Sequence, residues 1–334
     1  MYIPLQRSCI NYYSPSYPRS ATGRVIARLS AARCHNRIMT TPTLSHIVDT
    51  FHSLYPPHLA ASWDSSGLVC GRLQVPVEHV HFAVDAISAT AQEAVNLGAG
   101  LLITHHPLLL RGTSFIPDSD YKGNVLHTLI EGGCGLLGAH TNADAAVAGV
   151  NEALCEALNL QGYEPLTDQQ QQELAGEEYC VGTGRVGVLA RPLTLQELSE
   201  ELAAALPATA GGLRVAGSPQ KLIRRVALCG GAGDSLFEAV RASEADVYIT
   251  ADLRHHPASE FREQELVRGT DTALIDCSHA ASESLWLNRA AERLQETLAG
   301  QGYSIEISVS SLNTDPWDFH VSTGQTIGSA STPR

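Results

Sequence analysis

VHFAVDAISATAQEAVNLGAGLLITHHP, residues 80–107, passes from an apolar run through an Ala-rich polar stretch into a second apolar run, and stops at two adjacent histidines. The pattern predicts a strand at 80–84, a helix at 89–97 and a strand at 101–104. Strand, crossover helix, strand is the unit of a parallel α/β sheet. Around it the sequence predicts a helix at 43–55, a helix at 124–131, a strand at 135–139 and a helix at 151–158. Further on come a strand at 185–190 and a helix at 195–206, introduced by Pro192 and Thr194.

RVALCGGAGDSLFEAVRASEADVYITADLRHHP, residues 225–257, echoes the opening segment: strand, Gly-rich turn, helix, strand, then His255-His256-Pro257 after a short insert. The echo continues: LLGAHTNAD sets His140 four residues before Asp144, and LIDCSHAASE sets His279 four residues before Glu283. These matches in the same order predict an α/β fold made of two similar halves, an internal duplication with the halves facing each other. The boundaries expected are 40–167 for the first half, 168–178 (DQQQQELAGEE) for a linker or exposed loop, 179–320 for the second half and 321–334 for a disordered tail. Gly230-Gly231-Ala232-Gly233 lacks the Lys-Ser/Thr of a P-loop and the full GxGxxG, so it reads as a tight strand-to-helix turn.

The chain has 334 residues, 44% apolar and 17% charged, which suits a globular protein of one large or two ordinary domains. No apolar run is long enough to span a membrane. The formal charge of −13 and the lack of a Lys/Arg cluster in the body make nucleic acid an unfavoured partner. Eight scattered cysteines without a CxxC pair argue against a zinc ribbon and fit a reducing cytoplasm. Cys277, two residues before His279, reads as a buried strand residue rather than a ligand. Residues 1–38 hold six arginines, no lysine and no acid. Such a leader resembles a transit peptide. The second of only two methionines, Met39, stands where composition changes, so the stretch is expected to be a disordered or mis-assigned extension.

Loops beyond strand ends are where α/β proteins place ligands. Imidazole and carboxylate together hold zinc, manganese, iron, cobalt or nickel. Neighbouring side chains of a strand point to opposite faces, so His105 and His106 suit two ions lying side by side better than one. If a helix starts at either His-x3-acid segment, its two ends share a face. Each residue also has a structural reading: the histidines as strand-end caps bonded to backbone, Asp144 as the partner of Thr141 in a capping box, Glu283 as a solvated helix face. The set carries the metal reading.

WDSSGL (63–68), ITHHPL (103–108), AHTNAD (139–144), VYITAD (247–252) and SHAASE (278–283), with the closing Thr314-Asp315-Pro316, resemble in kind and order the motifs of the GTP cyclohydrolase I type 2 homologue family, also called NIF-three-like. The resemblance spans about residues 43–318. It implies a dinuclear metal site between two α/β halves and a ring-shaped homohexamer. Carried over by motif, the metal ligands are His105, His106, Asp144, His279 and Glu283, with Glu283 bridging both ions. His256 matches a histidine lining the family's site and Asp252 an acid before it, neither a ligand. Two departures, Ala251 and Ser278 where the family has glycine, make the local backbone the point to inspect.

Such a ligand set leaves open positions, as a catalytic site requires. A metal pair lowers the pKa of a water toward neutrality, and His256 or His140 then suits the role of proton donor. The expected function is a dinuclear-metal hydrolase acting on a small molecule, a nucleotide such as GTP or a related heterocycle. Arg111, Lys122, Arg254 and Arg262 are candidate phosphate contacts. A metal-dependent phosphatase or phosphodiesterase, and a non-enzymatic metal-binding or interaction protein, are the alternatives.

Overall fold

A computed structural model describes residues 39–322, and the expectations for 1–38 and for most of the tail fall outside it. Among the described residues the chain forms a mixed α/β fold with a five-stranded and a six-stranded sheet. The chain enters through α1 (Leu44–Leu54), whose Leu44, Ile47, Val48, Phe51 and Leu54 form the buried face. Thr43 caps it, accepting from His46 N–H while His46 Nδ1 accepts from Thr43 N–H at 3.2 Å.

The first sheet starts with β1 (Gly67–Cys70) and β2 (His79–Ala83). The chain crosses through α2 (Ser88–Asn96) to β3 (Leu101–Thr104), then through α3 (Tyr121–Glu131) to β4 (Gly135–Gly138). β2, β3 and β4 are buried along their whole length, the signature of parallel strands covered on both faces. One face packs on α2 and α3, the other on α1 and the long last helix.

Two short helices, α4 (Thr141–Ala145) and α5 (Val150–Ala157), lead to the second sheet. Its first strands, β5 (Leu160–Leu174) and β6 (Glu177–Thr194), form a long hairpin. Residues 168–178, expected as a linker or exposed loop, are its distal part. The turn sits at Ala175 and Gly176, with φ of 54° and 84°. Polar composition misleads here because one side of the hairpin faces water. On the other side, buried Gln172 donates to the Leu54 carbonyl at 3.0 Å and accepts from Val147 N–H at 2.8 Å. The arm is thereby fastened over the first half.

After α6 (Leu195–Ala205), closed at its start by a Thr194–Glu197 capping box, come β7 (Arg214–Ala216) and β8 (Leu222–Ala232). The chain then runs through α7 (Phe237–Ala242), β9 (Val247–Ala251), α8 (His255–Arg268), β10 (Ala273–Cys277) and α9 (His279–Gln301). β8, β9 and β10 are parallel, as β2, β3 and β4 are. The last strand, β11 (Glu306–Val309), falls in the stretch expected for the second half but pairs with β2 in the first sheet. Ser308 helps fix it there, its hydroxyl 2.6 Å from His79 Nε2 and 2.7 Å from His81 Nδ1. α9 packs against both sheets, so its first turn lies between them.

Candidate metal centre

The ends of β3, β4 and β10 bring His105, His106, His140, His279 and Glu283 together. His105 is fully buried. Its Nδ1 donates to the Ala139 carbonyl at 2.9 Å, which turns Nε2 inward, 3.3 Å from Glu283 Oε1 and 3.7 Å from Asp144 Oδ1. His106 turns the other way along the chain. Its Nδ1 is held by Asp85 Oδ1 at 2.7 Å, and its Nε2 lies 2.9 Å from Glu283 Oε2 and 3.1 Å from His279 Nε2. On α9, His279 and Glu283 share a face: His279 Nε2 lies 3.0 Å from Glu283 Oε1, while its Nδ1 bonds Asp252 Oδ2 at 2.7 Å.

One rule covers every ring: an oxygen holds Nδ1, so Nε2 is aimed inward with its tautomer fixed, the support that metal-binding imidazoles receive. Asp64 does this for His140 at 3.0 Å. Asp85 is itself held by the Thr314 hydroxyl, which brings the closing Thr-Asp-Pro motif into the site. The orienting roles of Asp64 and Asp85 were not legible in the sequence. The available signal was position, since Asp85 lies two residues past the end of β2, much as His105 follows β3.

The metal fit rests on the donor set. His105 Nε2, Asp144 Oδ1 and Glu283 Oε2 are buried with no well-aligned hydrogen bond, and they meet one another or a neighbouring ligand ring only as close histidine–carboxylate pairs. Donor atoms of His105, His106 and His140 lie within 4.8 Å of one another, as do those of His106, His279 and Glu283, and His106 belongs to both groups. This mixed imidazole–carboxylate set fits a borderline divalent cation.

The electrostatics match. Burial pushes the Glu283 carboxyl up, but the facing His105 and His106 outweigh it and hold it well below its usual 4.5. Burial pulls His106 down, yet the Glu283 charge and hydrogen bonds to Asp85 and Glu283 raise it to about 10. The same contest, with Glu283 and Asp252 opposing burial, raises His279 to about 9. Asp144 rises: burial lifts it, His105 opposes and Glu283 adds to the lift.

Asp144 is not the capping residue that its spacing from Thr141 suggested. The Thr141 hydroxyl donates to Asp64 instead, at 2.6 Å, and His140 occupies the cap position of α4. The Gly230–Gly233 stretch is also more than a turn. It carries the bulged end of β8 beneath the site, where a Cβ on Gly231 (φ +68°) would stand 2.4 Å from Glu283 Oε1. Neither departure from the family motifs demands glycine: Ala251 lies in β9, and Ser278 caps α9 at φ −66°.

His255 and His256 do not mirror His105 and His106. They are exposed on the first turn of α8, their rings 5.2 Å apart, outside the group of converging donor atoms. Cys277 is a buried strand residue whose thiol burial pushes up to about 12. Arg254 is paired with Asp234 and Arg262 with Asp271. Lys122 lies over the Tyr121 ring, and Arg111 is exposed.

Fold and site together define a two-sheet α/β protein with a buried histidine–carboxylate cluster suited to metal. The Duf34/NIF3 (NGG1p interacting factor 3) family matches residues 42–316, and the chain belongs to it. A Streptomyces coelicolor protein called GTP cyclohydrolase 1 type 2 homolog is 44% identical over 292 residues, covering 87% of this chain and 99% of that protein. A Mycobacterium tuberculosis protein of the same name is 34% identical, covering 84% and 98%. Among solved structures, a Bacillus cereus protein related to NIF3 superposes with a TM-score of 0.75 at 25% identity, over 84% of this chain and all of that one. Reduced HcgD from Methanocaldococcus jannaschii superposes at 0.66 with 26% identity, over 82% of this chain and 100% of that one. No described helix is long and apolar enough to cross a membrane.

Proposed function

We propose that this chain is a metal-dependent hydrolase with two divalent ions in one site, acting on a nucleotide or related heterocycle. The name shared by its relatives makes GTP the first substrate to test. The observation that carries the reading is the convergence of three imidazoles, from both halves, on one buried carboxylate, Glu283. His105, His106, Asp144 and His279 would hold the two ions, with Glu283 shared between them. When bound, the pair supplies Lewis acidity and a water acidified toward neutral pH.

The remaining work falls to the chain's own groups. Glu283 keeps both halves in register. Asp85, Asp252 and the Ala139 carbonyl hold the ligand rings by Nδ1, so that Nε2 points inward and is the nitrogen offered to metal. His140, with Nδ1 fixed by Asp64, presents Nε2 beside the centre and is our first choice to move a proton to the leaving group. His256, the other proton donor considered, reaches the substrate only if a ligand or a second copy brings the start of α8 to it. Turnover unchanged in His256→Ala would remove it from the chemistry. We read the parallel runs β2–β4 and β8–β10 as a duplicated unit, and we expect a cytoplasmic homo-oligomer, a hexamer by family resemblance.

The test is to supply GTP with each candidate metal and identify the product. A ring-opened formyl derivative supports the reading. Free phosphate would make the protein a phosphatase. Neither product from any heterocycle, with metal bound and exchangeable, would leave a non-enzymatic metal-binding protein.

A further inference from the structure

Trp63 is an exposed indole on a fastened loop. It retains 61% of its surface in water. Yet the loop carrying it is tied down on both sides: Ala61 N–H donates to the Thr141 hydroxyl at 2.9 Å, and Asp64 N–H donates to the Ala61 carbonyl at 2.9 Å. The Asp64 side chain is fully buried and accepts from Ser65 N–H, the Ser66 hydroxyl, Thr141 N–H and the Thr141 hydroxyl, besides holding His140. One exposed aromatic is ordinary by itself; what sets Trp63 apart is that a pinned loop holds it beside the candidate metal centre.

Its location says what binds. The Trp63 and His140 rings meet in a T-shaped arrangement, at a centroid distance of 5.8 Å and an interplanar angle of 78°. The His140 ring in turn lies 5.4 Å from that of His105 and 5.8 Å from that of His106. The indole therefore stands at the rim of the metal centre with most of its surface open to another flat ring. Arg254 and Arg262, two of the four candidate phosphate contacts, are paired with Asp234 and Asp271.

We propose that Trp63 is the stacking platform for a planar bicyclic heteroaromatic ring, a purine or a pteridine, and holds it against the metal centre beside His140. This rests on the reading of the centre as acting on a heterocycle. Stacking uses the π-face, so the platform accepts either ring, and selection between them falls to groups at the ring edge.

The test uses the metal-loaded full chain with guanosine, adenosine and pterin as probes and ribose as the ring-free control. Binding is followed by tryptophan fluorescence and titration calorimetry. The expected result is that at least one ring binds and quenches emission while ribose does neither. Trp63→Ala weakens that binding about tenfold or more. Trp63→Phe keeps most of it, and metal content and sedimentation are unchanged in both. Ring binding unaffected by Trp63→Ala, or no ring binding to the wild type, would overturn the proposal. So would a changed sedimentation coefficient in Trp63→Ala, which would assign the indole to contact between copies. Metal content separates this failure from that of the metal centre: two ions without ring binding overturns only the platform, whereas a chain that takes up no metal overturns both.

Discussion

His106 Nε2 and His279 Nε2 lie 3.1 Å apart, one delivered by the first sheet and the other by the first turn of α9. Each ring is pinned from behind by a carboxylate, Asp85 or Asp252. Two imidazole nitrogens so placed need a shared proton or a cation, and Glu283 makes the choice dependent on pH.

Metal uptake should release protons. His106 is raised to about 10 and His279 to about 9, so without metal the pair favours holding protons at pH 7. Binding metal requires the neutral rings. Calorimetric titration in buffers of different ionisation enthalpy should show net proton release at pH 7, with affinity rising toward pH 9. No proton release at pH 7 would contradict the assignment.

The same groups set the stability of the metal-free form. The raised histidines contribute stability that is fully present below their ordinary 6.5 and lost as pH rises through about 9 to 10. Glu283, held low, contributes stability present above its ordinary 4.5 and lost as pH falls below it. These terms together should place the Tm maximum of metal-free protein between those two ordinary values. Bound metal should flatten the alkaline limb, because it replaces the protons. A metal-free Tm still rising at pH 9 would refute this.

Asp85→Asn should keep the shape of the site and lose its electrostatics. The amide cannot match a carboxylate as acceptor for His106 Nδ1–H. Second-layer partners of this kind typically support 10–100-fold in metal affinity. Competition with a chromogenic chelator should show a loss in that range for one ion, with a smaller loss in Thr314→Val. Full affinity in Asp85→Asn would mean that Asp85 is a structural acid.

Gly231→Ala should abolish metal binding while barely changing surface chemistry. The new Cβ would press on Glu283 Oε1 and meet His279 Nε2 at 3.1 Å, at a positive φ that side chains resist. The strain costs about 1–3 kcal/mol. Gly112→Ala, where a Cβ meets nothing within 4 Å, is the control and should match the wild type in both Tm and metal content.

Gln172→Ala should loosen the hairpin without touching the site. It leaves the Leu54 carbonyl and Val147 N–H without their partner, at about 1–3 kcal/mol each. A lowered Tm with metal content unchanged is expected. Loss of metal instead would mean that the arm supports the centre.

What the sequence disclosed depended on whether an element's signal was local. β3 falls on the predicted residues 101–104, because a short apolar run bounded by Gly100 and His-His-Pro has few other readings. α6 ends one residue before its expected end for similar reasons, with a capping box at its start. Non-local relations were opaque. Nothing in Glu306–Val309 says that it joins β2 rather than the second sheet. Nothing in a glutamine-rich stretch says that one glutamine will bridge Leu54 and Val147. The paired histidines show the same limit: one pair follows a strand directly and converges, while the other opens a helix and faces water. Asp64 and Asp85 were hidden because a carboxylate behind a ring needs no fixed spacing from it.

The most direct measurement is metal content per chain by elemental mass spectrometry, on tag-free protein purified without chelator, beside a His105→Ala, His106→Ala double variant. About two ions per chain are expected, lost in the double variant. A metal-free protein that also failed to take up zinc, manganese, iron, cobalt or nickel on reconstitution would contradict the two-metal reading.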